Sequence, residues 1–503
     1  MSNNYSLFTL VQSLTAKEKT FIKSRSKKDS SYLNLFNGVI AQKEYDEKKL
    51  IKKLGGKTNK NSLSKLKRFL IDFILSQLIS FNEQYDISLQ LKLEIQKAGL
   101  LVKKGFYKEA KKILPSLNET CEKYNFFRLQ VNIYDILFII YIRGMDGAIY
   151  PYKKEYAYAI DQVRKESLLK GLYFDVIELM FEDSIEDASF RLSKVNTLLA
   201  NPLIMSINEK DSFSLRANVL SIKADSYSLI NEKGKTFSES QKKMRLISEN
   251  PLIAETNPSQ LLANLNNFIK DLMAMKRFND IPKYLLQLKK VNIENAIEKE
   301  DLELQKYSFY YIQKLTYLTM IGSFYEAGKV GFEVELWLKE NTSKFSEYVE
   351  VLLLDKLVLA FFGANDFKQS LKFSNRLIDS KFGMQEELVM RGSIYNLMIH
   401  YELGNFELLP YRITNLSRKV IKFKDALIKE KIILKSIKRI IQNYYDFSTK
   451  ELQKTFFDLL LSLEQESHIK FNEGEVVLAW LSSKCKEGTF SYFYLSLFKR
   501  GLH

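Results

Sequence analysis

The sequence predicts an all-α protein, a right-handed α-solenoid of antiparallel helix pairs with a small helical head in front of it. Three observations support this prediction. Only 7 Pro and 19 Gly occur in 503 residues, so few residues interrupt helices. Segments such as 218–230 repeat apolar residues at helical spacing, and strand alternation with Asn-Gly hairpins does not occur. A short turn pattern also recurs about every 43 residues.

The head is predicted to occupy residues 1–85 and to begin with a capped helix. Thr15 and Glu18 have the spacing of a capping box, in which the hydroxyl accepts from the Glu18 N–H and the carboxylate accepts from the cap N–H. Later helices are expected to start at Ser31, after Asp46 as an N-cap, and at Asn61 or the residue after it.

The turn pattern consists of a Gly or small polar residue at a helix end, then an aromatic, then a small residue in the next helix. Gly permits the left-handed cap, the aromatic fills the space between the two helices, and the small residue lets them approach. Phenylalanines 278, 324, 367 and 406 are separated by 46, 43 and 39 residues. The residues assigned to these structural turns are Gly105, Phe106, Ala110, Phe278, Gly322, Phe324, Phe367, Gly404 and Phe406.

This pattern resembles the tetratricopeptide repeat, whose first helix ends in a Gly and whose turn carries an aromatic before the Ala of the second helix. The resemblance implies a solenoid of helix pairs. The period is about nine residues longer than the 34 of that family, so longer helices are expected. For the same reason the peptide-binding residues of that family are not carried over to this chain.

The head segments SLTAKEKTFIK, YLNLFNGVI, YDEKKLIKKL and NSLSKLKRFLIDFILSQL also resemble the start of a family of tetratricopeptide-like proteins of about 500 residues. These proteins share a SLTxxEKxxxK-type head and have no established activity. The resemblance covers about the first 80 residues and implies a fold only.

The remainder of the chain divides into a repeat array over residues 86–489 and a C-terminal helix over residues 490–503. The C-terminal segment is amphipathic and aromatic, as is typical of a helix that caps a terminal repeat. A helix that docks on a partner is the alternative. Asn-Pro pairs at Pro202, Pro251 and Pro258 predict helix boundaries.

Positive charge is concentrated in the head, where residues 1–70 hold 16 Lys and Arg against 5 Asp and Glu, a net of +11 out of +16. The last two head helices could form a helix-turn-helix. The residues at the start of its second helix that could contact a polyanion are Lys57, Lys60, Lys65, Lys67 and Arg68. Against this hypothesis, the connection over residues 55–61 exceeds the usual 3–4-residue turn. A structural helical bundle, with apolar residues of the last helix facing its core, is the other interpretation.

A second basic zone, residues 411–445, holds 10 Lys and Arg against 2 Asp and Glu, a net of +8. Its lysines 424, 431, 435 and 438 are spaced by 7, 4 and 3 residues, which places them on one face of a helix. Such a stripe is either a solvated helix face or a groove for an acidic peptide or a phosphate backbone. The candidate polyanion ligands here are Lys424, Lys431, Lys435 and Lys438.

Catalytic and cofactor motifs are not recognisable in the sequence. The three histidines and two cysteines lack metal-ligand spacing, and neither Gly-Lys-Thr tripeptide has the earlier Gly of a phosphate-binding loop. We therefore expect no enzyme activity, no metal and no cofactor. The start lacks the pattern of a secretory signal and no apolar run approaches about 18 residues, so a cytoplasmic protein without a membrane span is expected.

These observations predict a non-catalytic scaffold or adaptor that binds a protein or peptide on the concave surface of its repeats. The alternative is a regulator whose basic head binds nucleic acid and whose repeats sense a partner.

Overall fold

A computed structural model describes residues 3–54, 60–144, 152–181, 188–294, 296, 298–341, 344–380, 386–422, 454, 458 and 474–500. Within these residues the chain forms 24 α-helices and no β-strand, which confirms the predicted all-α class. Most of the closest contacts join helices that follow each other along the chain and run antiparallel, as in a helical repeat.

The head contains five helices. They are α1 (Asn3–Ser13), α2 (Ala16–Arg25), α3 (Ser31–Ile40), α4 (Glu47–Lys53) and α5 (Lys60–Asn82). The predicted capping box at the start of α2 is confirmed, since the Thr15 hydroxyl accepts from the Glu18 N–H at 3.2 Å and the Glu18 carboxylate accepts from the Thr15 N–H at 2.7 Å. Asp46 caps α4 as predicted by accepting from the Lys49 N–H.

Helices α1, α2 and α3 pack on α5 and enclose one hydrophobic core. From α5 the buried positions are 63, 67, 70 and 74, which follow the 4-3-4 spacing of one helix face. The core side chains are Leu7, Val11, Leu14, Ile22, Leu35, Phe36, Val39, Leu50, Leu63, Leu70 and Ile74.

Nine helices follow in the first half of the array. They are α6 (Ile87–Lys103), α7 (Tyr107–Lys123), α8 (Phe127–Gly144), α9 (Lys153–Phe181), α10 (Ala188–Leu199), α11 (Pro202–Ser206), α12 (Phe213–Leu229), α13 (Lys233–Glu249) and α14 (Pro251–Glu255). The next helices are α15 (Pro258–Ala274), α16 (Ile281–Lys290), α17 (Lys299–Met320), α18 (Phe324–Glu340), α19 (Glu347–Gly363), α20 (Phe367–Ile378), α21 (Glu386–Glu402), α22 (Leu409–Lys422), α23 (Gly474–Cys485) and α24 (Phe490–Arg500). Helices α11, α14 and α15 begin at the prolines of the three Asn-Pro pairs, as predicted.

The described chain divides into two compact units. The N-terminal unit comprises Met1–Ile222, Leu246–Asn257 and Asn292–Lys299. The C-terminal unit comprises Lys223–Arg245, Pro258–Val291 and Glu300–His503. Each has its own core, one built around α6 to α9 and the other around α17 to α24.

One turn geometry recurs in both units. At seven helix ends in the described chain a residue adopts φ between +56° and +87°, and these residues are Gly105, Asn125, Asn231, Lys276, Gly322, Asn365 and Gly404. The next N–H then donates to the carbonyl five residues back, as Phe106 does to Leu101 at 2.9 Å, so the last carbonyls of the helix are satisfied. The last five such residues are 39–46 positions apart, a spacing consistent with a helical repeat.

The aromatic residues at these turns differ in burial. Phe324 is buried, and Phe278, Phe367 and Phe406 are partly buried. Phe106 departs from the predicted pattern because its side chain is 53% exposed, and Tyr107, the first residue of α7, packs against the core instead. The small residue Ala110 is fully buried, in agreement with close helix approach.

The C-terminal helix packs across turns of earlier pairs. Phe490 of α24 contacts the rings of Phe324 and Phe362 at centroid distances of 5.4 and 5.2 Å. Its neighbour α23 is held by Trp480, whose indole N–H donates to the Glu402 carboxylate at 2.6 Å. The aromatic side of the predicted C-terminal helix therefore lies in the core of the C-terminal unit.

Ion pairs join alternate helices of the C-terminal unit. The Asp355 carboxylate of α19 accepts from Arg391 Nε of α21 at 2.9 Å and lies 3.1 Å from the Lys356 ammonium. Burial alone would raise the pKa of Asp355, but these two cations outweigh it and the pKa is lowered. Glu335 of α18 similarly pairs with Lys372 of α20 at 2.5 Å.

Candidate binding surfaces

The predicted basic face of the head is present only in part. Lys65 and Arg68 lie on the exposed side of α5, close to its start. Lys60 is the first residue of that helix, and Lys57 lies outside the described residues. Lys65 and Arg68 can therefore contact a polyanion from the solvent side of the head.

Lys67 does not belong to this exposed face. Its side chain is 2% exposed, and its ammonium donates to the Glu47 carboxylate and to the Tyr45 hydroxyl, both at 2.6 Å. The position falls on the core side of α5, in register with Leu63 and Leu70. Lys67 thus ties α5 to the start of α4 and is withdrawn from any polyanion.

The second basic zone is not placed. Lys424, Lys431, Lys435 and Lys438 lie outside the described residues, so their common face stays a prediction.

An open groove runs between α2 and α5 on another side of the head. It has a volume of about 500 Å³ and is lined by Ala16, Lys17, Thr20, Phe21, Ser24 and Phe81. The rings of Phe21 and Phe81 meet edge to face at 5.2 Å and form its apolar floor. The Arg25 guanidinium lies over the Phe21 ring, 5.5 Å from its centroid. The groove therefore combines an apolar floor with positive charge.

An apolar face on α9 is exposed in the N-terminal unit. At 3.6 residues per turn, four of its exposed large side chains fall within an arc of about 140°. These side chains are Ile160, Leu168, Phe174 and Phe181, and Phe181 is 74% exposed. The exposed Arg164, Asp175 and Glu178 lie in the same arc, and the exposed Tyr158 and Met180 lie outside it. Other exposed apolar residues of the same unit include Phe138, Ile139 and Ile142 on α8, Phe190 and Leu192 on α10, and Met205 on α11.

The opposite side of α9 explains why this face is left outside. Leu169 and Val176 are buried, and the buried Gln162 accepts from the Ser212 N–H at 3.3 Å. One side of the helix is thus already occupied by its own unit, and the apolar face points away from it.

Few described residues are poised for chemistry. Burial raises the pKa of the Cys121 thiol to about 12, which keeps it protonated and unreactive. Burial lowers the pKa of Lys243 to about 8, and the charge of Asp225 opposes this shift. Among the residues that the structure describes, no group of three or more His, Cys, Asp or Glu side chains could hold a metal ion.

Of the helices described, none combines the length and the apolar character that a membrane span requires.

Sequence reasoning missed the groove and the α9 face. Phe21 and Phe81 are 60 positions apart in the sequence, so only the packing of α2 on α5 brings them together. The α9 face did carry a signal, because apolar residues continue around this helix beyond the arc that one core contact needs.

Comparison with known proteins assigns no relative. No family model matches the chain, and no curated protein is significantly similar to it. The fold therefore defines an all-helical protein of about 500 residues with many sequential helix pairs.

Proposed function

We propose that the protein is a non-catalytic adaptor that binds another protein through its helical repeats. The antiparallel pairs and the recurring left-handed turn support a right-handed, tetratricopeptide-like solenoid with a period of about 43 residues. Stacked pairs of this kind create extended surfaces on which a protein or peptide partner binds.

The observation that carries the proposal is the exposed apolar face of α9. Large exposed apolar side chains that recur along one side of a helix are typical of a protein contact, whereas a single one is ordinary. Phe174 and Phe181 are large aromatics, and aromatic residues including Phe are enriched at the cores of protein interfaces. The Lys170 ammonium, 5.8 Å from the Phe174 centroid, adds a charge at the edge of the face.

Affinity capture from the native lysate tests this proposal with two matched variants. Phe174→Ser with Phe181→Ser removes the α9 anchors, and Tyr325→Ser with Leu336→Ser removes equally exposed apolar side chains from α18. We expect one stoichiometric partner with the unaltered chain and the α18 variant, and its loss with the α9 variant. Retention of that partner by both variants would refute the role of α9.

A second function, nucleic-acid binding by the head, is favoured by the exposure of Lys65 and Arg68 on one side of α5. Phosphate contacts would make the affinity for duplex DNA or for RNA fall steeply with salt. We expect Lys57→Glu, Lys60→Glu, Lys65→Glu and Arg68→Glu together to abolish binding. Filter retention at about 50 mM salt measures it, within the range where such contacts are strong, and no retention there would exclude this function.

A further inference from the structure

We propose that the groove between α2 and α5 binds an acidic amphipathic segment of a partner protein. The groove is separate from the α9 face, so this proposal can be tested independently of the adaptor function. Three features of the groove determine its occupant: an apolar floor, a positive rim and covered ring faces.

The apolar floor selects for a non-polar side chain. Phe21 and Phe81 pack edge to face, and Tyr85 extends this row, with its ring 5.6 Å from that of Phe81 and partly open to solvent. An aliphatic or aromatic side chain placed here would remove apolar surface from water on both partners.

The rim selects for negative charge. Lys17 and Arg25 are exposed at the two ends of α2, and neither forms an ion pair with any described residue. The nearest carboxylate on α2, Glu18, is engaged by the Thr15 N–H at 2.7 Å. Beyond the floor, Glu83 lies 3.8 Å from Lys97. The positive charge of the rim is therefore not neutralised by these carboxylates, and acidic side chains complement it.

The covered ring faces favour a peptide over a nucleic acid. Nucleic-acid bases bind aromatic residues by stacking on an open ring face. Arg25 covers one face of Phe21, and the rings of Phe21 and Phe81 meet edge to face. The hydroxyls of Thr20 and Ser24 donate to the backbone carbonyls of their own helix. One face of Phe21 is thus closed to a base and both hydroxyls are committed as donors, which favours an apolar side chain at this part of the floor.

The length of α2 sets the length of the occupant. Its 10 residues span about 15 Å at 1.5 Å per residue, which matches about three turns of a helical peptide. An amphipathic helix that lays apolar residues at positions i, i+3 or i+4 into the groove, with Asp and Glu beside them, fits this surface.

Peptide selection on the full-length chain tests the proposal. The probe is a displayed library of random peptides of about 12 residues, long enough for three helical turns. We expect enrichment of sequences that combine Asp or Glu with two apolar side chains three or four positions apart. The best peptide is then synthesised, and its affinity for the full chain is measured by fluorescence anisotropy beside that of a thymidine oligonucleotide.

Two charge variants make the result specific. Lys17→Gln with Arg25→Gln should lower the affinity for the peptide at least about tenfold, equivalent to about 1.4 kcal/mol. Phe21→Ala should lower it by a similar factor. Lys48→Gln with Lys52→Gln makes the same charge change on the exposed side of α4 and should leave the affinity within about twofold. Circular dichroism verifies that each variant is folded. Enrichment without acidic residues, equal effects of the two charge variants, or tighter binding of the oligonucleotide would each overturn the proposal.

Discussion

Leu495 of the C-terminal helix lies directly over Gly322, the left-handed residue at the end of α17. A Cβ atom on Gly322 would lie 2.6 Å from Leu495 Cγ, closer than non-bonded carbon atoms approach. The backbone there has φ +71°, a conformation that L side chains rarely adopt. The left-handed backbone and the contact with Leu495 thus each require glycine at position 322.

Gly322→Ala should therefore destabilise the protein more than the same change at another turn. Gly105 has φ +87° but open space where a Cβ would lie, so Gly105→Ala isolates the cost of the backbone conformation. We expect Gly105→Ala to lower the free energy of unfolding by about 1 kcal/mol through backbone strain. Gly322→Ala should lower it by about 2–4 kcal/mol through strain and overpacking. Urea unfolding measures both. Equal losses would mean that Leu495 does not pack on this turn.

Breaking the buried pair of Asp355 and Arg391 should be costly. Arg391→Met leaves the buried Asp355 carboxylate with only Lys356 beside it. We expect the free energy of unfolding to fall by about 3 kcal/mol, the lower end of the range for breaking a buried ion pair. Asp355→Leu combined with Arg391→Met removes both charges and should restore part of this stability. Lys97→Met, which breaks the exposed pair with Glu94, should cost less than about 1 kcal/mol. A double variant no more stable than Arg391→Met would argue against a charge effect.

Lys67 should contribute to stability and not to polyanion binding. Lys67→Met removes the contacts to Glu47 and Tyr45, and we expect a loss of about 1–3 kcal/mol, as for a hydrogen bond to a charged group. Lys65→Met, on the exposed side of the same helix, should change the free energy of unfolding by less than about 0.5 kcal/mol. Thermal unfolding of both variants provides the comparison. A harmless Lys67→Met would show that this lysine is free in solution.

His400 should make stability depend on pH. Burial, with a smaller effect of the Arg412 guanidinium, lowers the pKa of His400 from its ordinary 6.5 to about 4. The folded state thus holds the ring neutral while the unfolded chain gains a proton below pH 6.5. Stability is complete above that value and should fall by about 1.4 kcal/mol per pH unit between pH 6.5 and 4. His400→Gln should reduce the slope measured by urea unfolding from pH 7.5 to 5.5, and an unchanged slope would contradict burial of the neutral ring.

The features predicted correctly from the sequence are those set by local geometry. The capping box at Thr15 and the cap at Asp46 depend on residues within one turn of each other. The turn pattern also predicted turns without glycine, such as the one before Phe278, but not which residue adopts the left-handed conformation, which is Lys276 there and Asn231 at another turn. Asparagine tolerates this conformation, and the surrounding helix pair imposes it on the lysine.

Features that depend on packing between distant segments were not predictable. The sequence places Lys67 beside Lys65 and Arg68 at the start of a possible recognition helix, yet the core face of α5 includes it. Likewise, the α2–α5 groove exists only because two helices far apart in sequence meet. Side-chain partners of this kind follow from the tertiary structure and leave no periodic signal.

The most direct test of partner binding by the repeats is hydrogen exchange of the chain with and without its captured partner. We predict slower exchange in peptides that cover residues 160–181 of α9, and unchanged exchange at the α2–α5 groove of the head when the partner lacks an acidic amphipathic segment. Protection confined to the head, or no protection on α9 when the partner is bound, would contradict the account.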